Sequence, residues 1–207
     1  MGKTTRVFIV RHGQTEWNRE ERFRGTVDVP LNERGLAQAR ATAERLAGEG
    51  DIAAVYSSPR GRAWRTAEPI AAAFGLVVQP LAGIDDLNFG EWQGLTPAEV
   101  GERWPELYRR WQLAPHTVRF PGGDSLEVVR ARALAALEAV VARHEGHGLV
   151  LATHKVVCKV LISAAIGLDN AHYWQVEVDN AGISLLEHVD GLYVLRRLND
   201  NCHLRGG

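Results

Sequence analysis

Two short apolar runs constrain this chain more than any other feature. Residues 6–10 (RVFIV) and 148–152 (GLVLA) each stop at a polar cluster that holds a histidine, Arg11-His12-Gly13 after the first and Thr153-His154-Lys155 after the second. Unbroken aliphatic runs of this length are what strands covered on both faces of a parallel sheet require. Around them, helix-like and strand-like segments alternate. Leu36, Ala39, Ala43 and Leu46 recur at helical spacing over 35–46, and 60–74 is an Ala-rich helical segment closed by Gly75. Residues 125–144 form a long helix carrying Val128, Val129, Ala133, Leu137 and Val140 on one side, with Asp124 or Ser125 as its cap, and 156–166 is a helix ending at Gly167. Segments 52–56 and 76–79 read as further strands, and 183–188 and 193–198 flank the hairpin signal Asp190-Gly191.

This alternation predicts a three-layer α/β/α fold: a mostly parallel open sheet with helices on both faces and an antiparallel edge made by the last hairpin. The length of 207 residues predicts a single domain over 1–207. Residues 84–123, where Trp92, Trp104, Tyr108 and Trp111 are scattered among Gly, Pro and short helical pieces, read as an excursion over the sheet. Ligands of such sheets bind beyond the carboxyl ends of the strands, so both histidines are expected on one rim.

Composition narrows the partners. With 24 basic against 25 acidic residues the net charge is -1, which gives no global field for nucleic acid or anionic membrane. Trp64 is the one aromatic within the basic stretch 60–65, a weak footprint for RNA. No run is long enough to cross a bilayer. The sparse Cys158 and Cys202 read as thiols of a reducing compartment, and no export signal is seen, so the cytoplasm is the expected location. The remaining histidines show no ligand spacing, so neither a metal nor a cofactor is expected.

His12 stands between a fixed cation, Arg11, and a glycine that permits close backbone approach, an environment suited to phosphate. A neutral imidazole is a good nucleophile near neutral pH. The segment Arg11-His12-Gly13-Gln14-Thr15-Glu16-Trp17-Asn18 resembles the signature of the histidine phosphatase superfamily, which includes the cofactor-dependent phosphoglycerate mutases. Leu31-Asn32-Glu33-Arg34-Gly35, Ser57-Ser58-Pro59, Arg62 with Thr66-Ala67, Phe89-Gly90-Glu91-Trp92, His154 and Asn180-Ala181 extend the resemblance along nearly the whole chain.

The resemblance implies a phosphoglycerate mutase-like fold and a metal-independent phosphomonoesterase acting on a small phosphorylated metabolite. It implies His12 as the nucleophile that becomes phosphorylated, Arg11 and Arg62 as clamps on the phosphoryl oxygens, His154 and Asn18 as further donors, and Thr15 as a loop-shaping residue. The family carries a glutamate acid a few residues before its Phe-Gly-x-Trp element. Asp86 holds that register with a side chain one methylene shorter, so either the loop sits closer or Asp85 or Glu91 contributes. Lys155 departs from the usual glycine and reads either as a contact for substrate phosphate or carboxylate or as a solvated lysine. Trp17, Trp92, Tyr108 and Trp111 are candidate pocket walls, Trp92 first among them. Two rival functions stay open: a phosphoglycerate mutase, and a non-catalytic phosphate-binding scaffold on the same fold. The compact span from Asp86 to His154 and Pro121-Gly122-Gly123-Asp124-Ser125 resemble the phosphatase branch, including α-ribazole phosphatases and broad-specificity enzymes. A homodimer through the sheet edge is a further implication of the resemblance.

Overall fold

The computed structural model describes residues 2–204. Its strands are β1 (Thr5–Arg11), β2 (Ile52–Ser57), β3 (Val78–Pro80), β4 (Gly148–Thr153), β5 (Ile183–Val189) and β6 (Leu192–Asp200), joined in one sheet of order β3-β2-β4-β1-β5-β6. The first four strands in that order run parallel, and β5 and β6 complete an antiparallel edge. Four residues of β1 explain why its sequence does not alternate. Val7 and Ile9 enter one core while Phe8 and Val10 enter another on the opposite face, and all four are buried. Each such side chain contributes roughly 1.5–3 kcal/mol by leaving water.

The helices are α1 (Glu16–Arg19), α2 (Glu33–Ala47), α3 (Gly61–Ala73), α4 (Pro97–Arg103), α5 (Pro105–Leu113), α6 (Leu126–Arg143) and α7 (Lys155–Ala165). Apolar residues of α2 and α3 fill the core under Phe8 and Val10, and those of α6 and α7 fill the core on the other face, where α4 and α5 also pack. Two residues assigned from spacing to buried stripes turn outward instead: Leu36 is 42% and Val128 41% exposed. In α2 the buried stripe is Gly35, Ala39, Thr42, Ala43 and Leu46, and Leu36 lies a helical step off it. Ser125, not Asp124, caps α6 by accepting from Val128 N. The excursion holds two regular helices, α4 and α5, each opened by a proline at its start.

Register places the site. Arg6 lies opposite Gly148 and Arg11 opposite Thr153, so β1 and β4 end together and His12 and His154 leave the sheet side by side. His12 N donates to Thr153 O at 2.9 Å. Beyond His12 the chain passes so close to the start of α2 that a Cβ on Gly13 would lie 2.4 Å from Gly35 O, and one on Gly35 2.1 Å from Gln14 O. Only glycine fits either position without moving backbone. Among the described residues, no helix is long and apolar enough to cross a membrane.

Candidate active site

The two rim histidines are fully buried, with ring centroids 5.3 Å apart and planes inclined by 60°. His12 Nδ1 lies 2.7 Å from Gly13 O. A carbonyl oxygen only accepts, so the proton sits on Nδ1 and Nε2 carries the lone pair. Burial, then the charges of Arg62 and Arg11, hold the imidazole well below its ordinary pKa and keep it neutral. The Gly13 amide is held by Thr66 Oγ1 at 3.0 Å, and Asn180 Nδ2 donates to His12 O at 3.0 Å, so the loop is fixed from two sides.

Arg62 is a buried hub. Its Nη1 donates to Val27 O at 2.7 Å, and its Nη2 donates to Gly25 O at 2.6 Å and Asp86 Oδ2 at 2.9 Å. Asp86 Oδ2 also lies 3.5 Å from His154 Nδ1. The shorter aspartate therefore reaches the site. Burial raises its carboxyl above the usual range against the opposing charges of Arg62 and Arg24, which favours the protonated acid. Asp85 lies behind His154, its Oδ1 3.9 Å from Nε2, and forms an ion pair with Arg60 at 2.6 Å, whereas Glu91 is exposed.

Arg11 donates through Nη1 to Val178 O at 2.9 Å, and Asn18 Oδ1 accepts from Thr15 N at 3.0 Å, leaving the Asn18 amide nitrogen as a donor. Thr15 caps α1 by accepting from Asn18 N, so it shapes the loop. Nine buried side-chain polar atoms lack a partner among the described residues. Five of them converge here: the Nε atoms of Arg11, Arg24 and Arg62, Nε2 of His12 and Nδ1 of His154. Each unmade bond costs about 1–3 kcal/mol, and an anionic oxygen bound here would remove that cost for the three arginine N–H groups, whereas the His12 Nε2 lone pair can only accept or attack.

Arg11, Asn18, Arg24 and Asp86 line a cavity of about 620 Å³ together with Tyr108 and Lys155 among others, while His12, Arg62 and His154 lie fully buried behind that lining. Lys155, the first residue of α7, stands on that wall with its Nζ 3.7 Å from Glu177 Oε2. Trp111 lines the cavity too, whereas Trp92 does not. Trp92 is fully buried, packed edge-on against Phe23 and Phe120 at 5.2 and 5.0 Å between centroids, so it is a core residue supporting the wall.

Two residues went unassigned by sequence. Arg24 is a third cation of the site, partly buried, its guanidinium lowered to about 9 by desolvation and by neighbouring Arg11. It stands in the loop just past the His12 segment, where a basic residue between Phe23 and Gly25 was the available signal. Ser58 has no base near it in sequence, yet its Oγ lies 2.7 Å from His154 Nε2, 96 residues on.

Comparison with known proteins identifies the family. The chain is 37% identical over 199 residues to Phosphoserine phosphatase 1 of Hydrogenobacter thermophilus, covering 96% of this chain and 94% of that one. Among solved structures it superposes on YhfR of Bacillus stearothermophilus with a TM-score of 0.91 and 30% identity, covering 97% and 99% of the two chains. It also superposes on a mycobacterial glucosyl-3-phosphoglycerate phosphatase with a TM-score of 0.86 and 30% identity, covering 94% and 98%. The family model of the histidine phosphatase superfamily, branch 1, matches residues 7–201. The buried histidine pair, its arginines and these matches together show that the chain belongs to branch 1 of the histidine phosphatase superfamily and is a phosphoric monoester hydrolase.

Proposed function

We propose that this chain hydrolyses the phosphate ester of a small metabolite by way of a phosphohistidine at His12, with no metal ion in the chemistry. The observation that carries this reading is the 2.7 Å contact of His12 Nδ1 with Gly13 O, which leaves the Nε2 lone pair unengaged on a ring that feels the charges of Arg62, Arg11 and Arg24. Nε2 attacks phosphorus as the ester P–O bond breaks, and the Asp86 carboxyl gives its proton to the departing oxygen. Asp86, now a carboxylate, takes a proton from water. The hydroxide attacks the phosphohistidine, the N–P bond breaks, and inorganic phosphate leaves with His12 neutral again. Arg11, Arg24 and Arg62 supply the positive charge that a metal ion gives other phosphoryl-transfer sites, and Asn18 and His154 donate to the same oxygens.

The cavity size falls within the usual range for small-molecule sites, roughly 300–1,000 Å³. Lys155 and Arg22 on the same lining favour a substrate with a second anionic group. Phosphoserine and phosphoglycerate, which carry a carboxylate, are the first esters to compare. Incubation with p-nitrophenyl phosphate in EDTA is expected to release phosphate steadily, and phosphoserine to exceed phosphoethanolamine in kcat/KM about tenfold, the worth of one charge-assisted hydrogen bond. Isomerisation of 3-phosphoglycerate primed with 2,3-bisphosphoglycerate, without net phosphate release, would assign a mutase instead. Silence in every assay would assign a scaffold.

A further inference from the structure

The proton on His154 is set by a chain of contacts that starts outside the cavity. Ser58 Oγ has three polar neighbours: Arg60 N at 3.3 Å, Asp85 Oδ1 at 3.2 Å and His154 Nε2 at 2.7 Å. A hydroxyl has one proton to give and two lone pairs. The Arg60 amide can only donate. Asp85 can only accept while ionised. Burial alone would raise the Asp85 carboxyl, but hydrogen bonds from Arg60 and the Asp86 amide outweigh it and hold the group below the ordinary carboxylate range. The hydroxyl proton therefore goes to Asp85, and the remaining lone pair must receive a proton from His154. Nε2 carries that proton, and Nδ1, 3.5 Å from Asp86 Oδ2 and without another partner, is the atom free to gain or lose one.

We propose that Asp85 is a positioning residue: acting through Ser58, it fixes the Nε2–H tautomer of His154 and aims Nδ1 at Asp86, so that His154 and Asp86 hold one proton between them at the phosphoryl site. The inference rests on the phosphatase reading for its kinetic consequences, though not for the tautomer. Its physical point is charge balance. Arg62, Arg24, Arg60 and His12 all disfavour a second proton on His154, as does burial, which is the largest effect. Asp85, with Oδ1 3.9 Å from Nε2, and Asp86 are the negative groups that oppose them. A phosphate ester that enters as its monoanion brings a further proton: His154 Nδ1 takes it, Asp86 keeps its own for the departing oxygen, and Asp85 stabilises the imidazolium that then donates to the phosphoryl dianion. Arg60 grips Asp85 through Nε and Nη2 at 2.8 and 2.6 Å, which holds the carboxylate in line.

Asp85→Ala tests this by removing the acceptor. The Ser58 hydroxyl then has no carboxylate to donate to, turns its proton toward His154 and leaves the imidazole proton on Nδ1. Nitrogen-15 NMR of the resting protein is expected to show Nε2–H for His154 in the wild type and Nδ1–H in Asp85→Ala. With p-nitrophenyl phosphate, kcat/KM is expected to fall about 10²-fold, and its alkaline limb to move down by about one pH unit with the loss of a neighbouring carboxylate. Arg60→Gln, which loosens the ion pair but keeps the carboxylate, is expected to retain the tautomer and, with one positive charge fewer beside His154, to move the alkaline limb up rather than down. An unchanged Nε2–H tautomer in Asp85→Ala, or limbs that move the same way in Asp85→Ala and Arg60→Gln, would overturn the proposal. Because the tautomer is read without substrate, a protein that turned over no ester would refute the phosphatase reading and leave the tautomer result standing on its own.

Discussion

His12 and His154 occupy equivalent places, each the first residue past the end of one of two adjacent parallel strands, and each is fully buried. What separates them is the partner of the second ring nitrogen. His12 gives its Nδ1 proton to a backbone carbonyl of its own loop, an acceptor whose polarity cannot change, and so presents a permanent lone pair. His154 is tied through Nε2 to a hydroxyl backed by a carboxylate, and it presents an atom that can take a proton. Chemically identical side chains thus acquire opposite roles, nucleophile and donor, from contacts on the side away from the substrate.

The sharpest way to break this comparison is His12→Ala, which removes the attacking atom. Turnover of p-nitrophenyl phosphate is expected to fall at least about 10⁴-fold, and rapid-quench mass spectrometry under non-acidic conditions to show no phosphohistidine. Phosphorylation at any other residue in wild-type protein would refute the assignment. Next comes Asp86→Asn, which tests the acid opposite the nucleophile. Hydrolysis of phosphoserine is expected to drop about 10³-fold, against less than about tenfold for the nitrophenyl ester, whose leaving group needs no proton. The sign of the pH effect follows from the raised carboxyl: the wild-type acid is lost as pH rises through its pKa, so phosphoserine hydrolysis declines on the alkaline side. The variant should lack that decline, and equal losses on both esters would rule out leaving-group protonation. The smallest effect belongs to His154→Gln, which keeps a neutral donor but cannot become a cation. About a 10²-fold loss in kcat is expected, with phosphohistidine still trapped. Failure to form that intermediate would mean that the two histidines do not divide the work as described.

The parts of the site readable in sequence were those that local chain geometry determines. His12 and Arg11 follow a strand end, His154 follows another, and the register of Asp86 ahead of Phe89 survives because the segment between them is short. The Ser58 contact with His154 depends on β2 and β4 pairing in register across 96 residues, and no local pattern encodes that. Arg24 was hidden for a similar reason, since its burial arises only when its loop meets Arg11 and Arg62. Trp92 was placed on the pocket wall because an aromatic beside an active-site segment looks the same from either side. Packing against Phe23, Trp104, Tyr108 and Phe120 decides that it faces inward. The open sheet was legible because unbroken aliphatic strands and amphipathic helices need no distant information, whereas α4 and α5 are short helices that each begin at a proline, a residue that reads equally as a turn.

The strand order carries a consequence for how the molecule comes into being. β1 begins at Thr5, yet both of its neighbours, β4 and β5, lie beyond residue 147. During synthesis β1 waits without either neighbour, its apolar faces uncovered, until the chain has been extended past residue 147. Contacts so distant in sequence slow folding and prolong exposure to aggregation. The nucleophile is thus translated well before the strands that flank it, and its surroundings are completed only when β4 and β5 dock beside β1, so catalysis must wait for both.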